Sequence, residues 1–155
     1  MANALQTVVE WEWDGRFGTV LAEFPVGEKD KVLGRLEQHL VGSWDRATIR
    51  DATDRVQAIV KRLGGLMSGQ LLLLSDSATD VLIYCGWWPW GDGLTISIRV
   101  GMFGETSDAD AAQALANVLK ATFSVPQGST SSSRARPMKA RRPARGRRAG
   151  VRSVP

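Results

Sequence analysis

The chain has 155 residues, one cysteine, one histidine and a net charge of +4 from 20 basic and 16 acidic side chains. A single cysteine excludes an internal disulfide and a thiolate zinc cluster, and the lone His39 excludes multi-histidine metal sites, so neither metal nor cofactor is expected. No apolar run approaches the ~20 residues that span a bilayer and no leader-like segment opens the chain, which predicts a soluble cytoplasmic protein with no membrane partner.

The charge is split along the chain. Residues 126–155 hold nine Arg or Lys and no acid, while the remaining 11 basic and 16 acidic residues leave positions 1–125 near −5. This division predicts a globular domain over 1–126, followed over 127–155 by a Ser/Gly linker and an arginine-rich tail.

Residues 5–13 alternate, with Leu5, Thr7, Val9, Trp11 and Trp13 on one face, and predict a half-buried strand. Asp14-Gly15 is a type I′ hairpin dipeptide. A two-residue turn there pairs Trp13 with Arg16, Trp11 with Gly18 and Val9 with Val20, continues the tryptophan face through Val20 and Phe24, and lets Arg16 stack on Trp13. Val32, Leu33, Leu36 and Leu40 recur at helical spacing and predict a helix over 27–40. Ile49, Ala52, Val56, Ile59, Val60 and Leu63 predict a second over 45–63, with Asp45 as N-cap and Gly64-Gly65 as a Schellman stop.

The run Gln70–Leu74 reads as a central strand covered on both faces, and residues 80–85 as the next. A loop, Gly86-Trp87-Trp88-Pro89-Trp90-Gly91-Asp92-Gly93, leads to a strand in which Leu94, Ile96, Ile98, Val100 and Met102 alternate with Thr95, Ser97 and Arg99. Ser107 caps a third helix whose inner face is Ala112, Leu115, Val118, Leu119 and Phe123. The predicted fold is α+β: an antiparallel sheet, made of the N-terminal hairpin and three later strands, packed against three helices in the order ββααβββα. The tail has no aromatic residue and one sign of charge, so it is expected to be disordered alone.

Three features carry candidate contacts. Arg134, Arg136, Lys139, Arg141, Arg142, Arg145, Arg147, Arg148 and Arg152 suit nucleic acid, since each phosphate neutralised releases counterions. The plain alternatives are a solubilising appendage, a nuclear-import signal in a eukaryotic host, or an arm folded on the acidic body. Trp87, Trp88 and Trp90 cannot all enter one core, because neighbours on an extended chain face opposite ways. They serve either to stack on a base or seat in a partner's pocket, or to cap the sheet end. Thr95, Ser97 and Arg99 form a polar strand face, either solvated or apposed to an RNA duplex. Catalysis is not expected. Glu10, Glu12 and Asp92 show no spacing that makes them converge, His39 sits among surface residues, and Cys85 reads as a packing residue.

The element order resembles that of the tombusvirus RNA-silencing suppressors. Val41-Gly42-Ser43-Trp44, followed by Ile49, Ala52 and Arg55, is similar to that family's Gly-Ser-Trp helix junction, and Ser97-Ile98-Arg99-Val100 to its RNA-facing strand. The resemblance implies a dimer that clamps short duplex RNA, with Trp11 and Trp13 capping the duplex ends. The family's tryptophan pair is more widely spaced, and this chain carries an acidic body and an extra stretch between Arg55 and Thr95. Gly86-Trp87 and Trp90-Gly91 are also similar to the Gly-Trp hooks by which some suppressors bind Argonaute.

Together these features predict a non-enzymatic protein that contacts nucleic acid, RNA in preference, through its tail while the body dimerises or binds a partner. The alternative is an inhibitor or immunity-type protein whose acidic body and tryptophan loop engage a basic partner. A viral-suppressor-like duplex RNA binder is the third reading.

Overall fold

The computed structural model describes residues 9–76, 78–104 and 108–125. Six strands form one antiparallel sheet in the order β1-β2-β6-β5-β4-β3. They are β1 (Glu12–Asp14), β2 (Thr19–Pro25), β3 (Gly42–Asp45), β4 (Leu71–Leu74), β5 (Val81–Pro89) and β6 (Thr95–Gly104). The three helices are α1 (Lys29–Glu37), α2 (Asp54–Arg62) and α3 (Ala109–Thr122). The α+β class, the antiparallel sheet and the three helices agree with the expectation; the sheet has one strand more.

Alternation along the strands divides the apolar residues between two cores. In the first, Val32 and Leu36 of α1 and Leu119 of α3 meet Val20, Phe24, Leu73, Cys85, Trp87, Ile98 and Val100. In the second, on the opposite face, Val56, Ile59 and Val60 of α2 meet Leu72, Leu74, Leu82 and Tyr84. The four leucines of β4 therefore serve both cores, as a strand covered on both sides requires.

The added strand is β3. The segment pairs with β4, Gly42 opposite Leu74 and Asp45 opposite Leu71, so β4 is flanked on both edges. Asp45 is not a helix cap. Its Oδ1 accepts from Ala47 N, Thr48 N and Thr48 Oγ1 at 2.9 Å each, closing a turn that ends the strand. A 3₁₀ turn at Ile49–Asp51 follows, and α2 starts only at Asp54. The predicted apolar stripe still holds because the 3₁₀ turn delivers Ile49 and Ala52 to the core that α2 covers. The Gly-Ser-Trp segment is accordingly a strand, not a helix junction. The Schellman stop is present: Gly65 N donates to Val60 O and Gly64 N to Lys61 O, with both glycines at positive φ.

The hairpin register also departs from expectation. Its turn spans residues 15–18, and Trp13 pairs with Val20, not Arg16. Gly18 N closes the turn on Asp14 O at 2.9 Å, with Gly18 in the left-handed region at φ 65°. The shift is four residues, an even number, so Trp13 keeps the face predicted for it. Its ring carries Lys120 Nζ, 4.3 Å from the centroid, while Arg16 lies over Phe17. The α1 helix is shorter than predicted, preceded by a 3₁₀ turn at Val26–Glu28. The inner stripe of α3 holds Leu115 and Leu119 and is continued by Phe123 just past the helix; Ala112, though exposed, lines a small cavity with Leu115 and Leu119, whereas Val118 faces outward. Asp108 caps that helix, its carboxylate accepting from Asp110 N. Leu5 to Val8, Ser107 and the segment 126–155 lie outside the described residues.

Candidate functional site

The predicted tryptophan loop is mostly strand. β5 runs without interruption to Pro89, pairing Trp87 with Ile98 and Trp88 with Ser97. Adjacent strand residues face opposite ways, and the two indoles separate accordingly. Trp87 is 2% exposed in the first core, edge-on to Phe24 at 5.6 Å. Trp88 is half-buried on the other face. Its ring occupies the space that a side chain at Gly86 would need, which explains a glycine in mid-strand. Trp90 follows the strand and is 42% exposed.

Trp88 belongs to a cationic stack. Arg99 Cζ lies 5.6 Å from the Trp88 centroid and 5.4 Å from that of Phe17, so its guanidinium contacts two rings. Its Nε donates to Asp14 Oδ2 at 3.1 Å, and Asp14 Oδ1 accepts from Arg16 N. This pair is largely withdrawn from water, with side-chain exposures of 22% for Arg99 and 12% for Asp14. Cross-strand registry adds Glu23 opposite Ser97, and Leu21 between Glu12 and Arg99. Partial burial and then the Glu12 charge raise the Glu23 pKa, with the Arg99 cation opposing them.

The predicted polar face, Thr95, Ser97 and Arg99, does lie on one side of the sheet, together with Trp88. Its members are not simply solvated. Ser97 is 3% exposed between Glu23 and Trp88 in registry. Thr95 Oγ1 donates to Asp92 Oδ2, and Asp92 Oδ1 accepts from Leu94 N and Thr95 N, bonds that lower the Asp92 pKa. Asp92 thus shapes the β5–β6 turn. Leu94, predicted to point inward, precedes the strand and is 68% exposed.

Trp11 is in the first core, edge-on to Phe123 at 4.6 Å. Trp13 is half-buried beneath Lys120, and Trp11 and Trp13 thus pack against the end of α3. Buried Cys85 has its thiol pKa pushed strongly upward by desolvation. A cavity of about 90 Å³ lined by Arg62, Met102, Leu115 and Leu119 is far below the ~300–1,000 Å³ usual for small-molecule pockets. Among the described residues no three His, Cys, Asp or Glu side chains form a metal set, and no helix is long and apolar enough to cross a membrane. The basic residues from Arg134 to Arg152 lie outside the described residues.

Sequence reading missed Asp14, Phe17 and Gly86 as parts of this site. Asp14 was assigned to a tight turn, which hides that it is a strand residue facing β6. Gly86 carried a usable signal, a glycine two positions before a tryptophan in a β-branched and aromatic run. Comparison with models of protein families, with curated proteins and with solved structures finds no match to this chain.

Proposed function

We propose that the chain is a non-enzymatic binding protein in which the segment Arg134–Arg152 contacts nucleic acid, RNA in preference, while the α+β body dimerises or binds a partner. The carrying observation is the charge division: nine basic residues and no acid after residue 125, against 16 acids before it. Arginine predominates in the segment eight to one over lysine, which suits bidentate phosphate contacts and stacking on bases. The test is an RNA-binding titration across salt concentration, comparing the full chain with a form whose nine basic tail residues are glutamine.

A second reading rests on the end of the sheet. Trp90, Leu94 and Val26 are exposed apolar residues brought together there, with Val26 N donating to Leu94 O and Trp90 N to Thr95 O. Beside them lies Asp92. An acidic body with such an apolar patch suits a basic protein partner, as in an inhibitor or immunity-type protein. That reading predicts that Trp90→Ala abolishes partner capture while the glutamine-tail form retains it.

A further inference from the structure

Among the described residues, the helices leave one corner of the sheet without a helical cover. On the face that carries α2, the helix packs on β4 and the first half of β5. At the β1–β2–β6 end of that face Glu12 and Glu23 are exposed, and Leu21, though buried, belongs to neither core. Just before β1, Val9 and Trp11 are buried and Glu10 alternates with them, which puts Glu10 on the same side as Glu12. Glu10 is exposed as well. Three carboxylates therefore lie on this side of the corner beside half-exposed Trp88 and Phe17; of the cations there, Arg99 is held by Asp14 and Arg16 lies over Phe17.

The described chain ends near the same sheet edge. Phe123 packs on Trp11, so the last described residues, up to Val125, lie beside the residues that lead into β1, the edge strand that bears Glu12. Nine residue steps separate Val125 from Arg134. A Gly/Ser-rich coil of that length averages ~15–18 Å end to end, and a full extension reaches ~30 Å. Passing round one sheet edge takes ~10 Å. A tether of this kind holds its basic residues near the corner at millimolar effective concentration.

We propose that the segment Arg134–Arg152 docks on the acidic corner formed by Glu10, Glu12 and Glu23 of its own chain, and that nucleic acid competes for the same arginines. The competition, unlike the docking, rests on the nucleic-acid reading above. Docking would hold the arm off weak polyanions and release it to a strand dense in phosphates. Such a contact is exposed and screened by salt.

The test is zero-length carbodiimide coupling in the full chain at about 50 mM salt, mapped by mass spectrometry. Lys139 is the one lysine after residue 125, so its cross-links report on the arm alone. The expected product joins Lys139 to Glu10, Glu12 or Glu23 in preference to Asp54, Asp76 and Asp80, which are exposed as well, and a short RNA suppresses it. Even coupling over all carboxylates, or none, overturns the docking. RNA binding without corner coupling overturns the docking alone, whereas corner coupling that persists in excess RNA supports docking and removes the nucleic-acid reading. As a second measurement, Glu10→Gln/Glu12→Gln/Glu23→Gln should tighten RNA binding about fivefold by freeing the arm. Asp54→Asn/Asp76→Asn/Asp80→Asn, with the same charge change, should alter it less than about twofold. Equal effects of the two triple variants overturn the proposal.

Discussion

Arg99 and Asp14 stand 85 residues apart in sequence and meet at 3.1 Å, joining β6 to the hairpin across β2. The contact is a charge-assisted hydrogen bond, mostly shielded from water, with aromatic rings on the guanidinium. Removing one partner leaves the other partly buried without its counter-charge. Asp14→Ala is expected to cost about 1–3 kcal/mol in urea unfolding. In a double-mutant cycle with Arg99→Ala the coupling should reach about 1 kcal/mol or more. A coupling near zero would mean that the pair is incidental.

Trp88 and Gly86 form a second dependent pair, because the indole fills the space above the glycine. Gly86→Ala should destabilise the fold by about 1–3 kcal/mol through overpacking. In a Trp88→Ala background the same change should cost almost nothing, since its obstacle is gone. Thermal unfolding of the four proteins checks this, and an unchanged cost in both backgrounds would refute the contact.

The pH response should contain opposite contributions. Glu23 has a raised pKa in the fold, from burial first and then from Glu12. Its ionisation opposes folding, so its contribution improves as pH falls from neutrality through the carboxylate range. Asp45 and Asp92 have lowered values, caused mainly by backbone hydrogen bonds, and the stability they confer is lost as pH falls through their folded pKa. Glu23→Gln should therefore raise stability slightly at neutral pH and lose that advantage in acid. Asp45→Asn should lower stability at neutral pH and converge with the parent in acid. Denaturant midpoints measured across pH distinguish the two.

Cys85 sits wholly inside the first core, and desolvation disfavours its thiolate. In the native protein it should resist a thiol-specific disulfide reagent, and it should react at once after denaturation. Rapid native labelling would show that β5 opens.

Much of the fold was legible because pattern and period agreed. The leucines of β4, the stripe of α2, the alternation of β6 and the Gly64-Gly65 stop each follow from local physics. The errors fall where a side chain chose between two local partners. Asp45 takes turn donors instead of a helix N-terminus, and the strand before it then pairs with β4. Asp14 reaches Arg99 and lengthens the hairpin turn, moving the left-handed residue to Gly18. Trp87 and Trp88 looked like a loop because Pro89 and the flanking glycines resemble turn punctuation. In the fold, Gly86 accommodates an indole and Pro89 ends the strand. The Phe17–Arg99–Trp88 stack was not legible, since it depends on long-range registry that no window of sequence contains.

The most direct test of the central reading is the salt dependence of RNA binding, measured by filter titration between about 50 and 200 mM salt. If six to nine tail residues meet phosphates, the full chain should give a log–log slope of about −4 to −8, and the glutamine-tail form should lose both the affinity and the slope. Equal affinity and slope for the two proteins would contradict nucleic-acid contact through Arg134–Arg152.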